Sequence, residues 1–138
     1  MYSVREAAAK NFKELVDVFG VDWAKSNIMP RVLEFCNHQN YLLRGTTILC
    51  VNALAMVVGA DVVDDTLLPL ILKMADDTVP NIRLKAAGSL HLMSRYVEPT
   101  VKQARIQPAL ENLSSDSDKD VRFCAGNALK ELGAPTSQ

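Results

Sequence analysis

Arginine, histidine, cysteine and aspartate are the side chains here with the chemistry to act on a ligand, and their spacing decides what they are for. His38 and His91 have no arrangement of Cys, Asp or Glu around them that suggests a metal ion or an activated nucleophile. Cys36, Cys50 and Cys124 are odd in number and far apart, without a CxxC or metal-ligand pair. They read as small core residues in a reducing compartment. The acidic groups Asp61, Asp64, Asp65 and Asp116, Asp118, Asp120 lack the order and central glycine of an EF-hand loop. They suit solvated turns and helix N-termini, where negative charge is favourable. No catalytic residue, metal ligand or cofactor site is therefore assigned. Arginine is different: Arg5, Arg44, Arg83 and Arg122 lie 39 residues apart without a gap. A guanidinium recurring at one place suits bonds to turn carbonyls and carboxylates, a structural chemistry rather than a catalytic one.

The same period organises everything around those arginines. Val4, Leu43, Ile82 and Val121 precede them. Seven residues after them come Phe12, Val51, Leu90 and Leu129; ten residues after come Leu15, Leu54, Met93 and Leu132. Pro30, Pro69 and Pro108 are also 39 residues apart, flanked by Ile28, Leu67 and Ile106 before and Val32, Ile71 and Leu110 after. Each unit reads as two helices. The first, holding the proline, is expected over 23–36, 64–76 and 99–114. The second is expected over 40–57, 79–96 and 119–132, with 1–19 a second helix that lacks its first. The polar connections after residues 36, 75 and 113 supply capping oxygens. Gly20 and Gly59 end second helices, where glycine's freedom is useful. Apolar periodicity continues past each repeated proline, so these are expected to kink the first helix, not to start it.

A lone hairpin cannot hide both apolar faces, so the units must stack and share one core. The expected fold class is all-α, an α-solenoid of helical hairpins. The array covers residues 1–133: a trailing helix at 1–20, full units at 21–59, 60–98 and 99–133, and a frayed tail at 134–138. Asn127, Lys130 and Glu131 give the last helix a mixed polar outer face, suited to a cap. Ala7, Ala8, Phe12, Leu15, Val16 and Phe19 give the first helix a wide apolar arc. That arc suggests a missing upstream unit, hence the C-terminal piece of a longer solenoid, and offers a surface for self-association.

Composition narrows the function. The 138 residues are 49% apolar and 22% charged, enough for a core, and a net charge of −1 argues against a general affinity for nucleic acid. The longest apolar run, 48–60, is too short to span a bilayer, and no membrane partner is expected.

The unit resembles a HEAT repeat: a proline in the first helix, an aspartate in the turn, and an apolar-Arg pair opening the second. Asp77 to Arg83 (DTVPNIR) and Asp116 to Arg122 (DSDKDVR) carry the pattern, whereas His38 replaces the aspartate in the unit of Arg44. More narrowly, VREAAAKNFKELVDVFGVDWAKSNIMPRVLEF, NYLLRGTTILCVNAL, NIRLKAAGSL and DVRFCAGNAL resemble the last repeats of the scaffold (structural, A) subunits of protein phosphatase 2A, from Val4 to about Leu132. The resemblance implies a non-enzymatic scaffold whose intra-repeat turns form a ridge that grips the phosphatase catalytic subunit. It implies regulatory subunits bound only through absent N-terminal repeats, and a cytoplasmic or also nuclear setting. By motif alignment it implies partner contacts at Tyr41, Arg44, Val79, Asn81 and Phe123.

The residues themselves leave alternatives open. Arg83 and Arg122, with Asp77 and Asp116, fit a structural ladder from unit to unit. For Arg44, whose unit lacks the aspartate, the ladder and a partner contact compete. Tyr41 and Phe123 flank helix starts and suit either interface anchors or packing over the neighbouring turn. Val79 and Asn81 are ordinary turn residues, promoted only by the resemblance. Trp23 suits packing between repeats. Another HEAT-type binder, of the transport or translation-factor kind, is the competing function; a HEAT-like nucleic-acid enzyme would need a basic groove or an acid–base pair that the sequence does not show.

Overall fold

A computed structural model describes the backbone of residues 2–133 and the side chains of all but residues 2–6, 8 and 9 among them. The expected frayed tail and the Arg5 side chain lie outside the described residues. The second helices are α1 (Tyr2–Phe19), α4 (Tyr41–Ala55), α7 (Pro80–Met93) and α10 (Lys119–Gly133). The first helices are broken rods. One is α2 (Val21–Asn27) followed by α3 (Met29–Cys36). The next is α5 (Ala60–Val62), a wide π turn (Val63–Leu67) and α6 (Leu68–Met74). The third repeats that design as α8 (Pro99–Val101), a π turn (Lys102–Ile106) and α9 (Gln107–Leu113).

Every break comes just before the repeated proline, and the backbone shows why. Proline donates no hydrogen bond and its ring crowds the carbonyl four residues back. Ahead of Pro69 and Pro108 the chain widens by one residue: the N–H of Leu68 bonds to the carbonyl of Val63, and that of Gln107 to Lys102. Ahead of Pro30 the helical pattern runs to Ile28, whose N–H bonds to the Ala24 carbonyl, and the helix restarts with Arg31 and Val32 both bonding to the Ile28 carbonyl. The kink expected at the prolines is thus present. The first helices of the first two full units begin at Val21 and Ala60, somewhat earlier than their apolar periodicity suggests. Gly20 and Gly59, both at φ 90°, turn the chain immediately before α2 and α5, a conformation that costs an L side chain dearly.

The result is an α-solenoid. α1, α4, α7 and α10 stack in that order, and α3, α6 and α9 pack beside α4, α7 and α10 respectively. The repeated columns form the core: Val51 and Leu90, Leu54 and Met93, Ile71 and Leu110, Leu67 and Ile106, Ile82 and Val121 are all at most 1% exposed. Removing each such side chain from water contributes about 1.5–3 kcal/mol. The same columns are only half-buried at the two ends, at Phe12, Leu15, Leu129 and Leu132, because burial there needs a neighbour on the far side. Among the described residues the two buried polar side chains are satisfied: Thr47 donates to the Leu43 carbonyl and Ser89 bonds to Asn52.

Candidate partner-binding edge

Each unit turns between its first and second helix, and stacking lines these turns up on one edge. Their local structure is written in short polar side chains. In the second and third turns, Asp77 accepts the N–H of Val79 and Asp116 accepts that of Asp118, both at 2.9 Å. In the first turn His38 does the same work with Nδ1, which accepts the N–H of Asn40 at 3.0 Å. Asn40 and Asp118 then cap α4 and α10 by accepting from Leu42 and Asp120.

An arginine ladder ties the turns together. Arg44 reaches back with Nη1 to the carbonyls of His38 and Gln39, and forward with Nε and Nη2 to both oxygens of Asp77, at 2.7 and 2.9 Å. Arg83 repeats this: Nη1 to the carbonyls of Asp77 and Thr78, Nε and Nη2 to Asp116 at 2.8 and 2.9 Å. Both carboxylates stand 33 residues after their arginine. These pairs are largely sheltered, with side chains 10–14% exposed. Burial alone would raise the Asp77 carboxyl, but the bond from Arg44, the Val79 N–H and the charges of Arg44 and Arg83 outweigh it and hold it below the usual carboxylate range. The bond from Arg83 is the main cause of the same lowering at Asp116.

For Arg44, the ladder is the role that this geometry supplies. Four of its five N–H donors are committed inside the chain, and it occupies the ladder position of Arg83. The reason is directional. Pairing runs forward into the next turn, so replacing the aspartate by His38 removes the carboxylate 33 residues after Arg5, not the one that serves Arg44. Arg122 shares one half of this pattern. Its Nη1 bonds the carbonyls of Asp116 and Ser117, at 2.7 and 3.0 Å, like its predecessors. Among the described residues, however, nothing accepts from its Nε or Nη2.

The other candidates fall on the edge or its end. Tyr41 opens α4 and is 43% exposed; Asn81, in the first turn of α7, is exposed; Val79 caps α7 and is half-buried against the core. Phe123 is 71% exposed. Its column holds Gly45 and Leu84, and a Cβ at Gly45 would meet Lys85 and Ile82 of α7, so this column looks toward the following unit. Phe123 thus belongs to the outer face of the last unit as much as to the edge. Trp23 packs between elements as expected, half-buried and stacked on Phe19 with ring centroids 4.7 Å apart. Cys36, Cys50 and Cys124 are free thiols pushed up by burial, which makes them weak nucleophiles.

Sequence reasoning missed three further features. The carbonyl and carboxylate of Asp64 both accept from Arg105, joining two first helices. His91 meets Glu131 at 2.8 Å. The columns Met29, Leu68, Gln107 and Leu33, Leu72, Glu111 turn from apolar to charged or polar in the last unit, where Gln107 and Glu111 are exposed and bonded to each other. Those columns were readable at the 39-residue period, unlike the first two pairs, which do not follow it.

Comparison with known proteins agrees with the stacked hairpins. Residues 67–97, from the end of the π turn through α7, match the family described as HEAT repeat. The protein phosphatase PP2A regulatory A subunit of Saccharomyces cerevisiae is 37% identical over 86% of this chain and 20% of its own length. Most of the chain is thus similar to the HEAT-repeat A subunits of protein phosphatase 2A. The corresponding PP2A regulatory protein of Schizosaccharomyces pombe is 36% identical over 51% of the chain and 12% of its own length. The PP2A 65 kDa regulatory subunit of Drosophila melanogaster is 40% identical over 44% and 10%. The chain therefore spans a fifth or less of the length of these relatives. All are named regulatory subunits, in accord with the expectation that this chain is not an enzyme.

Proposed function

We propose that this chain is a scaffold segment whose turn edge binds the catalytic subunit of protein phosphatase 2A. One observation carries the reading: the edge is rigid and its exposed groups are not the ones that hold it together. The ladder spends Arg44, Arg83, Asp77 and Asp116 on fixing turn to turn, while Tyr41 and Asn81 stand free beside it. A preorganised edge loses little entropy on binding, and an exposed aromatic supplies an anchor. The names of the relatives supply the partner, a phosphatase; regulatory subunits would be reached through repeats upstream of this stretch. A cytoplasmic or nuclear setting follows from that role.

The test is capture of purified phosphatase catalytic subunit by the immobilised chain, compared with Tyr41→Ala, Val79→Asp and Phe123→Ala. Loss of capture by the first two, with helix content unchanged, supports the edge. Full capture by all three removes these residues from the interface.

A further inference from the structure

We propose that the Nε/Nη2 side of Arg122 is a binding site for an aspartate or glutamate carboxylate of a partner protein, taking the place that Asp77 and Asp116 take along the ladder. The inference does not depend on which partner the edge binds.

The chain shows the ligand geometry twice. At Arg44 and Arg83 the Nη1 group is pinned to two carbonyls of its own turn, which aims Nε and Nη2 outward as a parallel pair; each time that pair holds a carboxylate at 2.7–2.9 Å. At Arg122 the same pinning is present, and the side chain is exposed. The fork is thus oriented in advance, and a planar pair of donors favours a carboxylate over other acceptors. Acidic charge behind the fork does not forbid this, since Asp77 lies behind Arg83 in the same way and Arg83 still holds Asp116.

The face around the fork indicates the kind of occupant. A further stacked hairpin would find less apolar surface to bury here, since two columns that are apolar in the earlier units have become Gln107 and Glu111 beside Phe123, Leu129 and Leu132. A second copy docked head to tail would bring His38 as its first turn residue, whose only acceptor nitrogen already serves Asn40. Phe123, next in sequence and 71% exposed, supplies the apolar contact that usually accompanies a charged anchor at protein interfaces. A folded partner that offers one carboxylate beside an apolar patch fits this face.

The experiment follows the Nε–H resonances of 15N-arginine in the full chain. The probe is an acetylated, amidated peptide of residues 75–80 (ADDTVP), which carries the aspartate that Arg44 holds, against the same peptide with Asn in place of both Asp residues. The expected result is a saturable shift at Arg122, roughly threefold or more larger than at the exposed Arg31 and Arg95, absent with the Asn peptide and with Arg122→Lys, which cannot present the planar pair. Arg44 and Arg83, already paired, should not move. A shift at Arg122 no larger than at Arg31 and Arg95 overturns the proposal. So does a fork already filled by the chain's own tail, seen as an Arg122 resonance that moves only when residues 134–138 are deleted.

Discussion

Replacing Asp77 by asparagine isolates what the ladder contributes. The substitution keeps the shape of the side chain and its acceptor for the Val79 N–H, but it removes the charge and turns an –NH2 toward the Nε–H of Arg44, donor against donor. Breaking a fully buried ion pair from one side costs about 3–5 kcal/mol, whereas an exposed pair is worth about 0–1 kcal/mol. With side chains 13% and 11% exposed, the pair lies toward the buried limit. Arg44 nevertheless keeps its bonds to the carbonyls of His38 and Gln39, so it is not left without partners. A loss of about 2 kcal/mol at pH 7 is the expected compromise. The pH dependence gives a second, independent handle. The Asp77 carboxyl is held below its ordinary value in the folded chain, so its stabilisation is complete above the unfolded pKa of about 3.9 and is lost as pH falls through the lower folded value. The gap between the native chain and the variant should therefore be full at pH 7 and close as the carboxylate protonates in strong acid. Urea unfolding followed by far-UV circular dichroism, with Arg44→Gln and the double variant to complete the cycle, measures both. A loss or a coupling energy under about 0.5 kcal/mol, the scale of an exposed pair, or a gap indifferent to pH, would refute the sheltered ladder.

Four other outcomes are expected. Gly59→Ala should destabilise by about 1–2 kcal/mol in the same assay, purely through its backbone at φ 90°, because an added Cβ meets nothing within 4 Å. Gly88→Ala, in the middle of α7 with open space around it, should instead stabilise by about 0.5–1 kcal/mol. Alkylation of Cys36, Cys50 and Cys124 by iodoacetamide at pH 7.5, read by mass spectrometry, should be slower in the folded chain than in urea, since burial raises all three thiols. Sedimentation over a range of concentrations tests the first helix: Val18 and Phe19 are 74% and 55% exposed, and replacing both with serine should reduce any self-association.

The repeat was legible because its cause is local. A helical hairpin must place apolar residues at fixed positions to be buried by its neighbours, and four copies of that requirement print a 39-residue period on the chain. The same period revealed the solenoid, the recurring arginine, the turns that carry Tyr41 and Asn81, and the prolines that kink the first helices. The widening to π turns ahead of Pro69 and Pro108 was not printed in the same way, since apolar spacing does not distinguish a kink from a break.

What periodicity cannot choose is the partner of each arginine. Arg83 has an aspartate six residues before it, Asp77, and another 33 residues after it, Asp116; both are fixed by the same repeat. Only the offset with which one hairpin sits on the next brings Asp116 to the Arg83 fork and leaves Asp77 to offer it a backbone carbonyl. That offset makes Arg44 an internal tie despite His38 in its own turn, and turns the fork of Arg122 outward. The 39-residue period is enough to make the arginines equivalent. The stacking of the units decided that two of them are spent inside the chain and that Arg122 is left facing out of it, because a bond between repeats exists only where two surfaces meet.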